Sequence, residues 1–329
     1  MYAGLLRIRY VKQHDDNGQV IGERKMKLFI IGNGFDRGHG LPTGYWDFRT
    51  YLENLYPEFL YAFEQHYEIY PRTDDAAKKK LLWNELETNL ANIDEDVIIE
   101  NAVSIDMNLE SGDVGIEDTL YDYFTEEYKY IEQLAKYLKQ WVRTIRIKGI
   151  QQKTDFINNA NDAIYITFNY TAVLETIYGI DEKKIIHIHG SLRQQDDEPV
   201  LGHGNIDRID KIQEKLQEAE REYDEKEMSI CRVVKDYYHQ TFKDINKYMY
   251  KLLDLINQDI NEIIVIGHSV AGVDIPYYRY INMFIKKKAF WRVYYYSESE
   301  KNLIKGRLKD CGINTKRLDL VPAIKFFNM

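Results

Sequence analysis

Apolar residues along this chain fall into two patterns. Short, nearly continuous β-branched and aromatic runs occupy residues 27–31, 163–168, 184–188, 263–266 and 291–296. Runs without strict alternation predict strands covered on both faces, as in a parallel sheet. Between them the apolar positions recur at helical spacing. Phe48, Tyr51, Leu52, Leu55, Phe59 and Phe63 predict a helix over about 47–67, and Leu81, Leu82, Leu86 and Leu90 predict another. A third runs over 120–147, with Tyr123, Phe124, Tyr128, Ile131, Leu134, Leu138, Trp141 and Val142 on one stripe. Residues 206–260 are charged and helical, carrying Ile209, Ile212, Leu216, Tyr223, Ile245, Tyr248, Leu252, Leu255 and Ile256. Strands alternating with helices predict a doubly wound α/β fold, Rossmann-like, with a mostly parallel sheet. Helical stretches at about 47–150 and 206–260 are too long for simple crossovers and are expected to be insertions in a single domain over 26–329, forming a lid or an oligomer surface.

The first 25 residues stand apart. An apolar run at 5–11, a polar turn at 15–18 and a second short run at 20–24 predict an edge hairpin. The competing expectation is that this stretch is a non-native extension, with the natural start at Met26. Codons for Gly22-Glu23-Arg24-Lys25 are compatible with a purine-rich ribosome-binding site just before that methionine.

Composition narrows the function classes. The 329 residues carry a net charge of −9, which speaks against general affinity for nucleic acid or anionic lipid. Two cysteines, Cys231 and Cys311, cannot build a disulfide framework or a four-cysteine zinc site, and a reduced, cytoplasmic setting is expected. No apolar run reaches the length of a membrane span, and the N-terminus lacks a signal-peptide pattern.

Each of the first four strands ends in a polar signature: Gly32-Asn33-Gly34-Phe35-Asp36 with Gly38-His39-Gly40-Leu41-Pro42-Thr43; Asn169-Tyr170-Thr171; His189-Gly190-Ser191; and Gly267-His268-Ser269 with Asp274. In an open parallel sheet ligands bind outside the carboxyl ends of the strands, so parallel neighbours would bring all four to one rim. The first loop suits a phosphate cradle, because glycines admit close backbone approach; a tight strand-to-helix turn needs glycine equally. Its Gly-x-Gly-x-x-x-Gly spacing departs from the dinucleotide fingerprint. Asn169 is suited to a sugar hydroxyl or a water, or to capping the next helix. His187 and His189 share a strand face; His187 reads as a hydrogen-bonded core histidine and His189 as a general base. The Gly267-His268-Ser269 segment looks like a nucleophile elbow, but no histidine follows it in the chain, which excludes an α/β-hydrolase triad.

The ordered blocks carry a family likeness. Gly32–Asp36 with His39-Gly40-Leu41-Pro42-Thr43, Tyr45 and Asp47-Phe48 resembles the N-terminal signature of the bacteriophage abortive infection AbiH family. Trp83 with Glu87 and Leu90, Phe168–Thr171 with Glu175, His187–Gly190, Leu201–Gly204 and Gly267–Ser269 with Asp274 resemble its later blocks. The same blocks are more remotely similar to sirtuins and SIR2-like NAD-consuming defence proteins. The resemblance implies anti-phage abortive infection, with NAD or a related nucleotide as ligand or substrate, cleaved at its N-glycosidic bond, and no tightly bound cofactor. It implies phosphate contacts from Gly32, Gly34 and Thr43, and a ribose or water contact from Asn169. It also implies His189 as general base, and Gly267 and Ser269 on the adenosine side, with Asn33, His268 and Asp274 beside them. Asn33, Phe35 and Asp36 depart from the sirtuin loop; Asp36 is expected to bind ribose or cap the helix. Glu87 is expected either to enter the site from the insertion or to be a plain surface or structural carboxylate. A four-cysteine zinc module is missing, which argues against deacetylation. A phage-derived trigger and a homo-oligomer are expected partners. Two alternatives remain: a metal-dependent hydrolase using His187 and His189 with His203 and an Asp, and a non-catalytic nucleotide sensor.

Overall fold

The computed structural model describes residues 26–93, 130–160, 162–193, 199–285 and 289–328. The expected hairpin within 5–24 lies outside the described residues, as does the predicted helix from Leu120 through Tyr128. The described residues form a six-stranded sheet in which every pairing is parallel. Its strands are β1 (Met26–Ile31), β2 (Ala163–Thr167), β3 (Ile185–His187), β4 (Ile260–Ile266), β5 (Phe290–Tyr295) and β6 (Leu318–Pro322), in the order β3-β2-β1-β4-β5-β6. This is a Rossmann-like α/β arrangement. The chain runs outward from β1 on one side, then returns to place β4 on the other side of β1. The order therefore reverses between β1 and β4, where a crevice opens at the strands' carboxyl ends.

The parity of the strand side chains builds two cores. Leu28 and Ile30 of β1 join Ile263, Val265, Trp291, Tyr277 and Leu308 on one face. Phe29 and Ile31 join Tyr165, Ile264, Ile266, Tyr294 and Phe326 on the other. All four β1 side chains are essentially fully buried, and each buried aliphatic or aromatic side chain contributes about 1.5–3 kcal/mol. This explains why the strand sequences read as continuous apolar runs.

Along the chain, β1 leads into α1 (Asn33–Gly38), α2 (Tyr45–Leu55), α3 (Pro57–Gln65), α4 (Asp75–Leu81) and α5 (Leu86–Asn89). Next come α6 (Tyr130–Thr144) before β2, α7 (Val173–Tyr178) before β3, and the long pair α8 (Ile206–Glu222) and α9 (Glu225–Gln240). The remainder are α10 (Asn246–Met249), α11 (Ile275–Phe284), α12 (Glu298–Asp310) and α13 (Ala323–Phe327). The two helical stretches meet in a third core. Phe48, Phe63, Trp83 and Trp141 from the first pack with Leu216, Val234 and Tyr237 from the second. Inside it Arg49 Nε and Nη2 donate to the Glu64 carboxylate at 2.7 and 3.1 Å, and Trp83 Nε1 donates to Glu64 Oε1 at 2.7 Å.

Four expectations need correction. The helix through Leu81, Leu82, Leu86 and Leu90 is broken at Leu82, at φ −133°, ψ −57°, into α4, a 3-10 turn over Trp83–Glu85 and α5. The helix over 47–67 is two helices, because Pro57 opens the second and pushes Tyr56 out of the helical region, to φ −138°, ψ 55°. The 206–260 stretch breaks at Tyr223, which ends α8 in the left-handed region at φ 58°, while the Asp224 side chain caps α9 through the Glu227 amide at 2.9 Å. Lys184 belongs to a 3-10 turn before β3 rather than to the strand. The sixth strand has no counterpart among the predicted runs: Leu318-Asp319-Leu320-Val321-Pro322 is a half-buried edge strand ending in proline.

Candidate functional site

A cavity of about 990 Å3 opens over the carboxyl ends of the central strands and beneath the helical core. Asn33, Gly34, Asp36, Thr43, Asn169, His189, Gly267, His268, Ser269 and Asp274 all line it. Four loops separated by more than two hundred residues of sequence thus share one wall. Tyr45, Trp46, Trp83, Glu87 and Trp141 line it from the helical side. Gly32 is not among the lining residues; it sits behind them, and a Cβ there would lie 2.5 Å from the Gly267 carbonyl oxygen. Gly267 itself has φ 71°, and its Cβ would meet the Phe35 nitrogen at 2.1 Å. The glycines are thus required where the β1 and β4 loops cross. The Gly32 and Gly34 amides already donate to the Ile266 and Gly267 carbonyls, at 3.0 and 2.8 Å.

Asp36 is buried at the crossing. Its Oδ1 accepts from Asn169 Nδ2 at 2.8 Å, and its Oδ2 accepts from the Thr171 hydroxyl. Burial raises its pKa to about 7, against the opposing effect of those two bonds. It is not the cap of α1: that position is Gly32, and no side chain caps the helix. The Asn169 amide also donates to the Gly32 carbonyl at 3.2 Å. Both neighbours of its nitrogen are acceptors, so the amide can stand only one way round. Its Oδ1 is left buried and, among the described residues, has no hydrogen-bond partner. Thr43 Oγ1 is also buried and unpartnered.

The second polar cluster joins the β3 and β4 loops. Val270 N donates to His268 Nδ1 at 3.0 Å, which leaves the proton on Nε2, 3.2 Å from Asp274 Oδ2. Val270 holds φ 51°, a strained value for a β-branched residue. The other Asp274 oxygen lies 3.5 Å from His189 Nε2, which also meets the Tyr277 hydroxyl at 3.2 Å. Burial, reinforced by the charge of Lys243, lowers the His189 pKa well below its ordinary value and keeps the ring neutral. Burial alone would raise Asp274, but the bond from His268 and the charge of nearby Lys243 favour its carboxylate and hold it below the ordinary value.

Glu87 is not a surface carboxylate. It enters from α5, lines the cavity and accepts from Lys243 Nζ at 2.6 Å. The Lys243 side chain is 0% exposed. Nothing in the periodicity of the sequence marks Lys243, which lies 156 residues from its partner.

His187 does not share the cavity with His189. The strand ends at His187, whose Nδ1 and Nε2 face the Asn169 carbonyl at 3.1 Å and Glu175 Oε1 at 2.9 Å. His203 is wholly buried, with Nδ1 accepting from the Asn205 amide at 3.1 Å. Among the described residues no three histidine, cysteine, aspartate or glutamate side chains are grouped to hold a metal ion.

The sequence profile of the bacteriophage abortive infection AbiH family matches residues 28–295, from within β1 to the end of β5 and through the loops that follow β1, β2, β3 and β4. The chain belongs to the AbiH family. This membership supports a role in abortive-infection defence. No curated protein matches this AbiH-family chain. Among its described residues no helix is long and apolar enough to cross a membrane.

Proposed function

We propose that this AbiH-family protein binds NAD or a related dinucleotide in the cavity and hydrolyses its N-glycosidic bond as the damaging step of abortive infection. The observation that carries the reading is Asn169 Oδ1, an oriented, buried acceptor on a residue of the cavity wall, with no hydrogen-bond partner among the described residues. Such an atom suits a ribose hydroxyl or an attacking water. The crevice where the strand order reverses is the expected place for a dinucleotide in this architecture. Thr43 Oγ1, Asn33, Arg37 and Lys79 line the same cavity and suit the phosphates. Gly267 and Ser269 suit the adenosine side, in keeping with the remote likeness to SIR2-like proteins.

In the reaction the C1′–N bond breaks, and its electron pair neutralises the pyridinium ring. Water adds to C1′, and its proton passes to neutral His189 and then to solvent. The products are nicotinamide, ADP-ribose and one proton. Positioning by Asn169 and one general base supply the catalysis. On this reading the protein works in the cytoplasm without a tightly bound cofactor, and a phage-derived trigger releases its activity.

The test is incubation of the pure protein with NAD, followed by chromatography. Equimolar nicotinamide and ADP-ribose are expected, and Asn169→Ala and His189→Ala should each lower the rate by about 100-fold or more. Full activity in both variants overturns the assignment. Tight binding with no turnover in the wild type replaces it with a nucleotide sensor.

A further inference from the structure

Three groups of the loop after β4 stand in line behind His189, and a backbone amide at the far end decides which way each proton in that line points. The Val270 amide donates to His268 Nδ1 at 3.0 Å. A main-chain N–H cannot accept, so this bond fixes a lone pair on Nδ1 and the ring proton on Nε2. His268 Nε2 therefore donates to Asp274 Oδ2, 3.2 Å away. Against the effect of burial, that bond and the charge of Lys243 keep Asp274 a carboxylate, and a carboxylate only accepts. Its other oxygen, Oδ1, is buried, has no hydrogen-bond partner among the described residues, and lies 3.5 Å from His189 Nε2.

The tautomer of His189 follows from that oxygen. With its proton on Nε2, the ring aims a donor at Asp274 Oδ1 and at the Tyr277 hydroxyl oxygen, 3.2 Å away. With the proton on Nδ1, a nitrogen lone pair would face a buried carboxylate oxygen, and Oδ1 would go unpaired. Nδ1 is then the nitrogen that keeps its lone pair, on a ring that lines the cavity. The backbone bears a mark of the same arrangement. Val270 is buried and β-branched, yet holds φ 51°, and it is from this conformation that its amide reaches His268. Such a conformation costs about 1–3 kcal/mol and persists only where the surroundings fix it.

We infer that Asp274 and His268 are positioning residues: together with the Val270 amide they set His189 in its Nε2–H tautomer and so make Nδ1 the atom that takes the proton of the attacking water. This role rests on the hydrolysis proposed above and specifies how its base is prepared. As water adds to C1′, its proton goes to Nδ1 while the Nε2 proton stays in place, so none travels to Asp274. Burial and the charges of Lys243 and Lys251 disfavour the imidazolium that forms, and Asp274 favours it. Release of the Nδ1 proton to solvent restores the neutral ring.

The experiment is a two-bond 1H–15N correlation spectrum of the full-length protein carrying 15N-labelled histidine, at about pH 8 and without substrate. The His189 signals are identified by their loss in His189→Ala. In the wild type, His189 should show a protonated Nε2 and a bare Nδ1. Asp274→Asn is the decisive variant, because His268 Nε2–H still needs an acceptor. The new amide turns its oxygen to His268 and its nitrogen to His189, whose proton should move to Nδ1. In the same variant kcat for NAD hydrolysis should fall by about 1000-fold or more, with KM changed by no more than about threefold. A wild-type His189 protonated on Nδ1 overturns the inference. So does an Asp274→Asn variant that loses activity with the His189 tautomer unchanged, the result a purely structural role gives. If the variant fails to fold, the wild-type spectrum decides. The expected tautomer in a wild type that does not turn over NAD leaves the hydrogen-bonded line standing and removes the hydrolysis reading.

Discussion

Asp36 is the residue on which the site's orientation depends. It receives hydrogen bonds from positions 133 and 135 residues away, so nothing in its own neighbourhood of sequence announces them. The sequence marks a carboxylate near a glycine loop; ribose binding or helix capping are the roles that local context suggests. Asn169 is easier to read, because a polar residue straight after an apolar strand points to a rim. Glu87 and Lys243 are a harder case, since each is unremarkable until the fold pairs them. The burial of Asp36 has a measurable consequence. Its ordinary pKa of 3.8 rises to about 7 in the folded protein, so between those values the folded chain holds a proton that the unfolded chain releases. This stabilising contribution is complete below 3.8 and is lost as pH rises through 7, with a size of a few kcal/mol at most. His39, His66, His189 and His203, which burial holds below their ordinary value, add a slope of opposite sign that extends to somewhat above pH 6.5, and it is common to the wild type and an Asp36 variant. The stability advantage of the wild type over Asp36→Asn, read as the difference in urea midpoint, should therefore shrink as pH rises from 4 to 8. An identical slope in the variant would contradict the buried, proton-binding carboxyl.

At the scale of elements, the crossing of the β1 and β4 loops is the tightest constraint. Gly267→Ala puts a Cβ 2.1 Å from a backbone nitrogen at φ 71°. It should cost roughly 4 kcal/mol or more in denaturant titration. Gly179→Ala is the control: it too is left-handed, at φ 62°, but nothing lies within 4 Å of its Cβ, and it should cost only about 1 kcal/mol. Comparable losses in the two variants would mean that the crossing is not close-packed. Five strands are legible because each is a β-branched or aromatic run buried on both faces. β6 is not, because its side chains are all half-buried and Pro322 closes it. The break between α2 and α3 does leave a mark in the sequence, namely Pro57, but the unbroken apolar spacing from Phe48 to Phe63 hides it. Tyr223 leaves none: a tyrosine in the left-handed region is a tertiary outcome.

At the scale of the molecule, three cores meet around one cavity: one on each face of the sheet, and a helical one assembled from two distant stretches of chain. Helical segments within both stretches were readable from their apolar spacing. That they would pack on each other was not, because helical periodicity gives a buried face and no partner for it. A dinucleotide held between sheet and helices binds only the folded chain. At a concentration of about 100 times Kd, a non-hydrolysable NAD+ analogue should add about 2.7 kcal/mol of stability and raise Tm by several degrees. An unchanged Tm at saturation would place the ligand elsewhere or nowhere.

The parity of β1 also limits how such a chain can diverge. Leu28 and Ile30 serve one core, Phe29 and Ile31 the other, and β2 and β4 hold the strand in register on both sides. Deleting a single residue there would trade the two sets of side chains across the sheet and spoil both cores together. Lineages descending from this protein are therefore free to lengthen or shorten their outer helices and connecting segments, while gaps in the central strand should be purged.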